Sequence, residues 1–462
     1  MSSLKTIASE LPSEYEYLKF LGQGAFGQVV KCRKRNTGQI VAVKIPKHYN
    51  SETLDEVSML RKMKCLDIEK YNIVKFIDTF PTQFGNAVVF EALDISLYDY
   101  LDRTNCEPML LSDIRAIIKQ LATALDALKK SGIIHTDVKC DNIMMVNHQL
   151  RPLKVKLIDF GVAISTSHAR QGMRLQPLSL RSPEIICGLK FSEAIDMWSL
   201  GCVMALMILG NRLFEAPSEY ELLRRIVELL GQPADHLLNG GLKTKDYFNW
   251  TESNCWELKT PAEFYGRNVR RVDEGSWFQS VDDLKDVLKE TNNEAEAEDC
   301  IELLKAMLKI DPNERITPRE VASHPFITKD YPTFQTVEVK TPRSSGFPSP
   351  NEGFDCEPPV TPLKDEDSSN IHPDDSNPSP EILSSGPEAE STMLYEDQSP
   401  IRFESELSKT SKPSVMHADS STSPLISEDS EDRGRRKNRF RCFFSWMKKT
   451  FCCCCVTNVD VD

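Results

Sequence analysis

Asp137, Lys139 and Asn142 stand two and three residues apart in the stretch IIHTDVKCDNIMM, and KLIDFG follows with Asp159, Phe160 and Gly161. A carboxylate, an ammonium and a carboxamide at that spacing, ahead of a second carboxylate, suit phosphoryl transfer to a hydroxyl. That reaction needs alignment and charge compensation more than covalent help. Asp137 is the candidate to orient and deprotonate the attacking hydroxyl. Lys139 would neutralise the moving γ-phosphoryl group. Asn142 and Asp159 offer oxygen ligands to Mg2+, a hard cation. A solvated charged loop could hold any one of these four residues by chance. All four together, with a suitable lysine upstream, argue against chance.

That lysine is Lys44. Before it, Gly22, Gly24, Gly27 and Val29 spell GxGxxGxV. Glycines at these positions permit a tight turn whose backbone can approach the phosphates of ATP. Alone the pattern is weak, because a dinucleotide fold uses similar glycines. That fold would follow them with a helix and an acidic residue about 20 positions on. Here a strand and then VAVK at 41–44 follow instead. Lys44 should reach the α- and β-phosphates, with Glu56 holding it in place. The bland reading of Glu56 is a solvated carboxylate like Glu52 or Asp55.

The elements that must carry these residues fall into two groups. From Tyr17 the chain reads as short strands, YLKFLGQ and QVVKCRK around the glycines, then QIVAVKIP after Thr37-Gly38. Leu54–Lys64 fits a short helix, and strand character returns over Ile73–Phe80 and Ala87–Phe90. From Leu97 helical patterns dominate. In DIRAIIKQLATALDALKKSG apolar residues recur at three and four, and Gly132 is the stop. The expected fold is α+β, a β-rich small lobe (about 15–93) followed by a helical large lobe (about 94–328).

These motifs resemble a eukaryotic protein kinase of the CMGC group, and more narrowly the homeodomain-interacting protein kinase family. FLGQGAFGQVVKCRKRNTGQIVAVKI, LYDYL, DNIMMV, EAIDMWSLGCVMALMILGNRLFEAPSEY and ELLGQPADHLL carry the resemblance over residues 15–328. It implies a two-lobed kinase fold, ATP and Mg2+ as cofactors, and phosphorylation of Ser/Thr in protein substrates, usually before Pro. It makes Phe90 the gatekeeper and Glu91 to Leu93 the adenine hinge. Val29, Ala42 and Met144 would sandwich the adenine, although ordinary core packing would place them alike. Glu184 of Ser182-Pro183-Glu184 would pair with Arg315, and Asp196 would brace the catalytic loop. Arg181 would help shape a pocket favouring Pro after the target residue.

The chain departs from the family in its activation segment. Thr136 stands where most kinases have Arg, as a small residue usually does in this family. The family's activating tyrosine maps to Arg174, and the arginine expected to meet its phosphate maps to Leu178. Donor and acceptor of one charge pair are therefore both missing. Either the segment holds an active form without phosphate, or it is disordered and the enzyme weak. The rival to a kinase is a pseudokinase scaffold that binds partners with little or no turnover.

The 462 residues carry a formal charge of −13, unevenly spread. Residues 351–432 hold 20 acidic and 4 basic side chains, whereas 433–462 hold 8 basic and 2 acidic. Residues 329–432 are Ser/Pro-rich and acidic with few aromatics, a composition that cannot repay the entropy of ordering, so disorder is expected over 335–432. Six Ser/Thr-Pro steps lie there, at Thr341, Ser349, Thr361, Ser379, Ser399 and Ser423. Composition alone would produce such steps, and they equally suit phosphorylation by this chain or a relative.

The segment at 433–462 interleaves Arg and Lys with Phe440, Phe443, Phe444, Trp446 and Phe451, then gives Cys452–Cys455. Adjacent cysteines are poorly spaced for zinc, and an ending in Asp is no prenylation box. The leading reading is a palmitoylated, anionic-membrane-seeking tail. The other is a nuclear-import or RNA-binding run, and the resembled family is largely nuclear. No direct nucleic-acid contact is expected, and a monomer is. MSSLKTIASE predicts neither a secretory signal nor myristoylation. Of the 14 cysteines, five lie in the last 21 residues. The rest lack paired spacing, so reduced thiols are expected.

Overall fold

The computed structural model describes residues 10–24, 27–47, 52–63, 70–266, 278–289 and 293–331. The expectations for the acidic linker and the cysteine tail lie outside the described residues. Strands β1 (Tyr15–Gln23), β2 (Gly27–Lys34), β3 (Ile40–Pro46), β4 (Phe76–Thr82) and β5 (Gly85–Glu91) form an antiparallel sheet in the order β1-β2-β3-β5-β4. Alternation along β3 sends Val41, Val43 and Ile45 into a core with Tyr15, Val30, Phe80 and Val89. Ala42 and Lys44 therefore take the other face. Pairing of Lys44 with Val29, and of Ala42 with Phe90, puts all four on that face. Helix α1 (Glu52–Met63) buries Glu56, Val57, Leu60 and Met63.

Strand character was expected from Ile73, but β4 begins at Phe76. The intervening backbone belongs to the other lobe. Leu157 donates its N–H to Asn72 O, and Val74 donates to Leu157 O, at 2.8 and 3.0 Å. Polar groups used there are not available to the small sheet.

The large lobe is built on α2 (Leu97–Arg103), α3 (Leu111–Lys130), α4 (Pro183–Ile186), α5 (Ala194–Leu209), α6 (Glu219–Leu230) and α7 (Glu294–Met307). The apolar stripe of α3 is buried at Ile114, Ile117, Ile118, Leu121, Leu125 and Leu128. Gly132 ends the helical run at φ +65°, a region open to glycine. Helix α5 is apolar all round and buried along nearly its whole length, as a helix in the middle of a core must be. No helix among the described residues is long and apolar enough to cross a membrane. Two short antiparallel pairs, β6 (Ile133–Ile134) with β9 (Ile164–Ser165) and the hairpin β7 (Ile143–Asn147) with β8 (Arg151–Leu157), flank the loops at 135–142 and 158–163. Among the described cysteines, Cys32, Cys140, Cys187, Cys202 and Cys300 are buried and none forms a disulfide.

Glu184 and Arg315 are paired, with both side chains 0% exposed and bonds of 2.6 and 3.0 Å. Arg315 also donates to Lys309 O and Ala194 O, and its guanidinium lies 5.2 Å from the Trp198 ring centroid. Removing one partner strands a buried charge, which costs about 3–5 kcal/mol, whereas apolar replacement of both is far cheaper. Glu184→Ala should therefore lower the unfolding free energy by about that amount, and Glu184→Leu with Arg315→Met by much less. Urea unfolding of the three proteins checks the ordering. Equal losses would show that the pair is not the cause.

Candidate active site

The loop after β6 is held from beneath. Asp196, near the start of α5, accepts the backbone N–H groups of His135 and Thr136 at 2.7 and 2.8 Å. Burial pushes the Asp196 carboxyl up to about 7, against the pull of those two donors. Thr136 sits at φ +67°, unusual for a β-branched residue, and its hydroxyl donates to Val162 O. His135 is buried and its ring packs edge-on against Phe160, centroids 5.0 Å apart. Its Nδ1 accepts from Asp137 N–H, so Nε2 carries the proton that goes to Ile158 O. Burial lowers the His135 value and keeps the ring neutral.

Three predicted residues converge next. Asn142, in the short turn Cys140–Asn142, donates Nδ2 to both Asp137 Oδ2 and Asp137 O, at 2.7 and 2.9 Å. Lys139 Nζ lies 3.0 Å from the same Oδ2. Among the described residues Asp137 Oδ1 accepts no hydrogen bond. The amide nitrogen of Asn142 is engaged, which leaves Oδ1 as the atom that could meet a cation.

Lys44 joins the lobes. Its ammonium lies 3.0 Å from both Glu56 oxygens and 2.7 Å from Asp159 Oδ1. The alternative of a solvated Glu56 is not what the structure shows. Burial works against a charged Lys44, but Asp159 and Glu56 outweigh it and hold its value up. Burial also opposes a charged Asp159. Lys44 and the N–H of Gly161 overcome that and hold its carboxyl below the usual range. Burial pushes Glu56 up, with Lys44 opposing. A Cβ on Gly161 would stand 3.1 Å from Lys44 Nζ and 3.2 Å from Asp159 Oδ1, so a side chain there would press on both charged groups.

The predicted nucleotide residues flank this cluster. Val29, Ala42 and Lys44 share the face described above, with Phe90 beside Ala42. Gly24 N–H donates to Gly27 O across the β1–β2 turn. A Cβ on Gly27 would come within 2.4 Å of Ile45 O, so glycine is forced there, while at Gly22 and Gly24 it would meet nothing within 4 Å among the described residues. Glu91 ends β5, accepts from Lys75 N–H and pairs with Lys156. Leu93 follows it on the segment between the lobes, and Met144 lies half-buried on β7.

The activation segment, Asp159–Glu184, is described throughout, with fixed side-chain ties. Gln176, buried and at φ +65°, donates to Ile195 O and Ser199 Oγ and accepts from the Ser182 N–H and hydroxyl. Arg181 donates to Leu175 O, Gln176 O and Glu219, at 2.8, 2.7 and 2.6 Å. Arg174 is exposed and reaches Glu219 at 3.7 Å. Sequence reasoning quoted His135 and Phe160 only within their motifs and missed Gln176, whose donor partners Ile195 and Ser199 are distant in sequence.

The protein kinase domain family matches residues 15–327. Homeodomain-interacting protein kinase 2 of Mesocricetus auratus is 39% identical over 373 residues, covering 75% of this chain and 32% of that protein. The chain belongs to the homeodomain-interacting protein kinase family. Homeodomain-interacting protein kinase 1 of Mus musculus is 40% identical over 72% of this chain and 30% of its own length. Homeodomain-interacting protein kinase 4 of Homo sapiens is 35% identical over 70% of this chain and 56% of its own length. The chain thus spans about a third of the first of these relatives and about half of the last. A kinase domain of this family implies dependence on ATP and Mg2+.

The lowered Asp159 value has a sign. Its contribution to stability is fully present above the ordinary aspartate value of about 3.9 and is lost as pH falls through the lower folded value. Asp159→Asn should therefore cost stability at neutral pH and progressively less below about pH 4. Urea titrations across that range check this. A difference that does not vary with pH would contradict it.

Proposed function

We propose that the chain is an ATP-dependent Ser/Thr protein kinase acting without a phosphotyrosine in its activation segment. The observation that carries this is the joint closure of the site. Lys44 is held between Glu56 and Asp159 while Asn142 and Lys139 converge on Asp137. Asp137, with Oδ1 open, orients the substrate hydroxyl and takes its proton. Lys139 meets charge on the transferring phosphoryl group, and Lys44 meets the α- and β-phosphates. Gly22, Gly24 and Gly27 cover the phosphates by backbone. Val29, Ala42 and Met144 bracket the adenine, and the Glu91–Leu93 backbone receives its edge.

The donor set fits Mg2+. Asn142 Oδ1 and the carboxylate of Asp159 are hard oxygen donors, and Asp159 is held ionised. When bound, the ion would offset negative charge on the phosphates.

Arg181 supports a preference for Pro after the target residue. It engages the carbonyls of Leu175 and Gln176, which removes two acceptors from the segment beside the site. A substrate residue with an N–H to satisfy would find fewer partners there than Pro, which has none. A scaffold with little turnover is the second reading. It is favoured by the lack of any Tyr between Asp159 and Glu184.

Transfer from Mg-ATP to a Ser-Pro peptide should be measurable with the wild type. Lys44→Met and Asp159→Ala should each lower it by about 10²-fold or more, since each meets charge that grows in the transition state. A Ser-Ala peptide should be the poorer substrate. One shared background rate in three folded proteins would instead favour the scaffold.

The domain plan proposed is a kinase domain at 15–328, an acidic linker at 329–432 and a basic, aromatic, Cys-rich tail at 433–462, in a monomer. The tail's composition supports attachment to an anionic membrane through palmitate on Cys452–Cys455. Two acyl chains hold stably where one holds marginally, at about 0.8 kcal/mol per buried methylene. Replacing the four cysteines by Ser should release most of the protein in fractionation, with loss of signal in an acyl-exchange assay. A wild type that is soluble, nuclear and unacylated would favour the import reading.

A further inference from the structure

The activation segment is tied down at one place that none of the kinase roles above uses. It turns at Arg170–Met173, with Met173 N–H donating to Arg170 O and Gly172 at φ +85°. The turn brings the side chain of Gln171 to a junction of two other segments. Its Nε2 lies 2.9 Å from Gly188 O and 2.6 Å from Gly240 O. Both partners are acceptors only, so the amide must present its nitrogen, and both of its hydrogens are used.

The two receiving segments are themselves joined. Leu242 N–H donates to Gly188 O and Lys243 N–H to Cys187 O, each at 3.0 Å. They pack closely enough that a Cβ on Gly241 would stand 2.7 Å from Cys187 O. Gln171 therefore binds the activation segment to a firm seam of the large lobe. Five residues further on stands Gln176, whose carbonyl Arg181 holds. Slack at Gln171 would be felt there, where the substrate is read.

We propose that Gln171 is a positioning residue that holds the activation segment in its substrate-accepting shape with no phosphate on the segment. Its two neutral hydrogen bonds hold the turn at 170–173, beside the ties that Gln176 and Arg181 make further along the segment. The proposal rests on the kinase reading of the site. It assigns Gln171 no contact with ATP or with the transferring group.

Three full-length variants separate donation from packing. Gln171→Glu keeps the length but sets a carboxylate against two carbonyls. Gln171→Lys keeps donors within reach, and Gln171→Ala removes both length and donors. The KM for a Ser-Pro peptide should rise about tenfold in Gln171→Glu and Gln171→Ala, and stay within about twofold in Gln171→Lys. The KM for ATP and the affinity for a non-hydrolysable ATP analogue should not change. Amide hydrogen exchange over 169–176 and 240–243 should rise in the Glu and Ala variants only.

Wild-type peptide KM and exchange in Gln171→Glu and Gln171→Ala would overturn the proposal. So would a Lys variant as impaired as the Glu variant, or loss of ATP affinity in step with peptide affinity. If Gln171→Glu does not fold, Gln171→Ala carries the same outcomes. A wild type without turnover would defeat the kinase reading alone, and the exchange comparison would still decide the role of Gln171.

Discussion

The first turn of α5 organises everything on the substrate side of the molecule. Asp196 grips two consecutive amides of the catalytic loop. One residue earlier Ile195 O receives Gln176, and one before that Ala194 O receives Arg315. Ser199, a turn later, receives Gln176 and donates to Leu180 O. Catalytic loop, activation segment and the Glu184–Arg315 pair thus share one anchor. The anchor is firm because α5 is buried on all sides and cannot shift without repacking the lobe. Placing a carboxylate there is costly, and the two N–H groups that Asp196 satisfies compensate for it.

Charge is handled the same way throughout. Lys44 with Glu56 and Asp159, Arg315 with Glu184, and Arg181 with Glu219 are each a cation in contact with one or two carboxylates. Such groups contribute little net stability, because desolvation offsets much of their attraction. What they provide is geometry. Each permits one arrangement of two distant segments and makes the alternatives expensive. The site can therefore be preorganised, with dipoles and charges set before a substrate arrives.

Much of the site was legible in the sequence because its chemistry is local. Asp137, Lys139 and Asn142 lie within six positions, and their mutual contacts follow from one loop. Lys44 was legible through the strand that follows the glycines, and Glu56 through the apolar run it opens. The start of β4 was misread because Ile73 and Val74 look like strand residues, but Ile73 forms an isolated bridge with Leu157 of the other lobe and Val74 bonds to the same residue. Glutamines were silent for a similar reason. Gln171 and Gln176 donate to groups 17 to 69 positions away, and a lone Gln in a loop carries no pattern that announces such partners. Of the three glycines in the nucleotide loop, Gly27 is the one that a close neighbour among the described residues dictates.

The buried cysteines have a consequence for any reagent that attacks sulfur. Burial pushes the thiols of Cys140, Cys187 and Cys202 up to about 12 and that of Cys32 to about 11. A thiolate is the reactive species, so at neutral pH these groups are nearly inert as nucleophiles. Cys140 is the telling case, since it stands between Lys139 and Asp141 in the catalytic loop and would look like a target on paper. Electrophilic probes, oxidants and dyes added to the native protein will pass over the interior of the domain. Their signal will report on the half-buried Cys106 and Cys255 and on whatever thiols the rest of the chain presents.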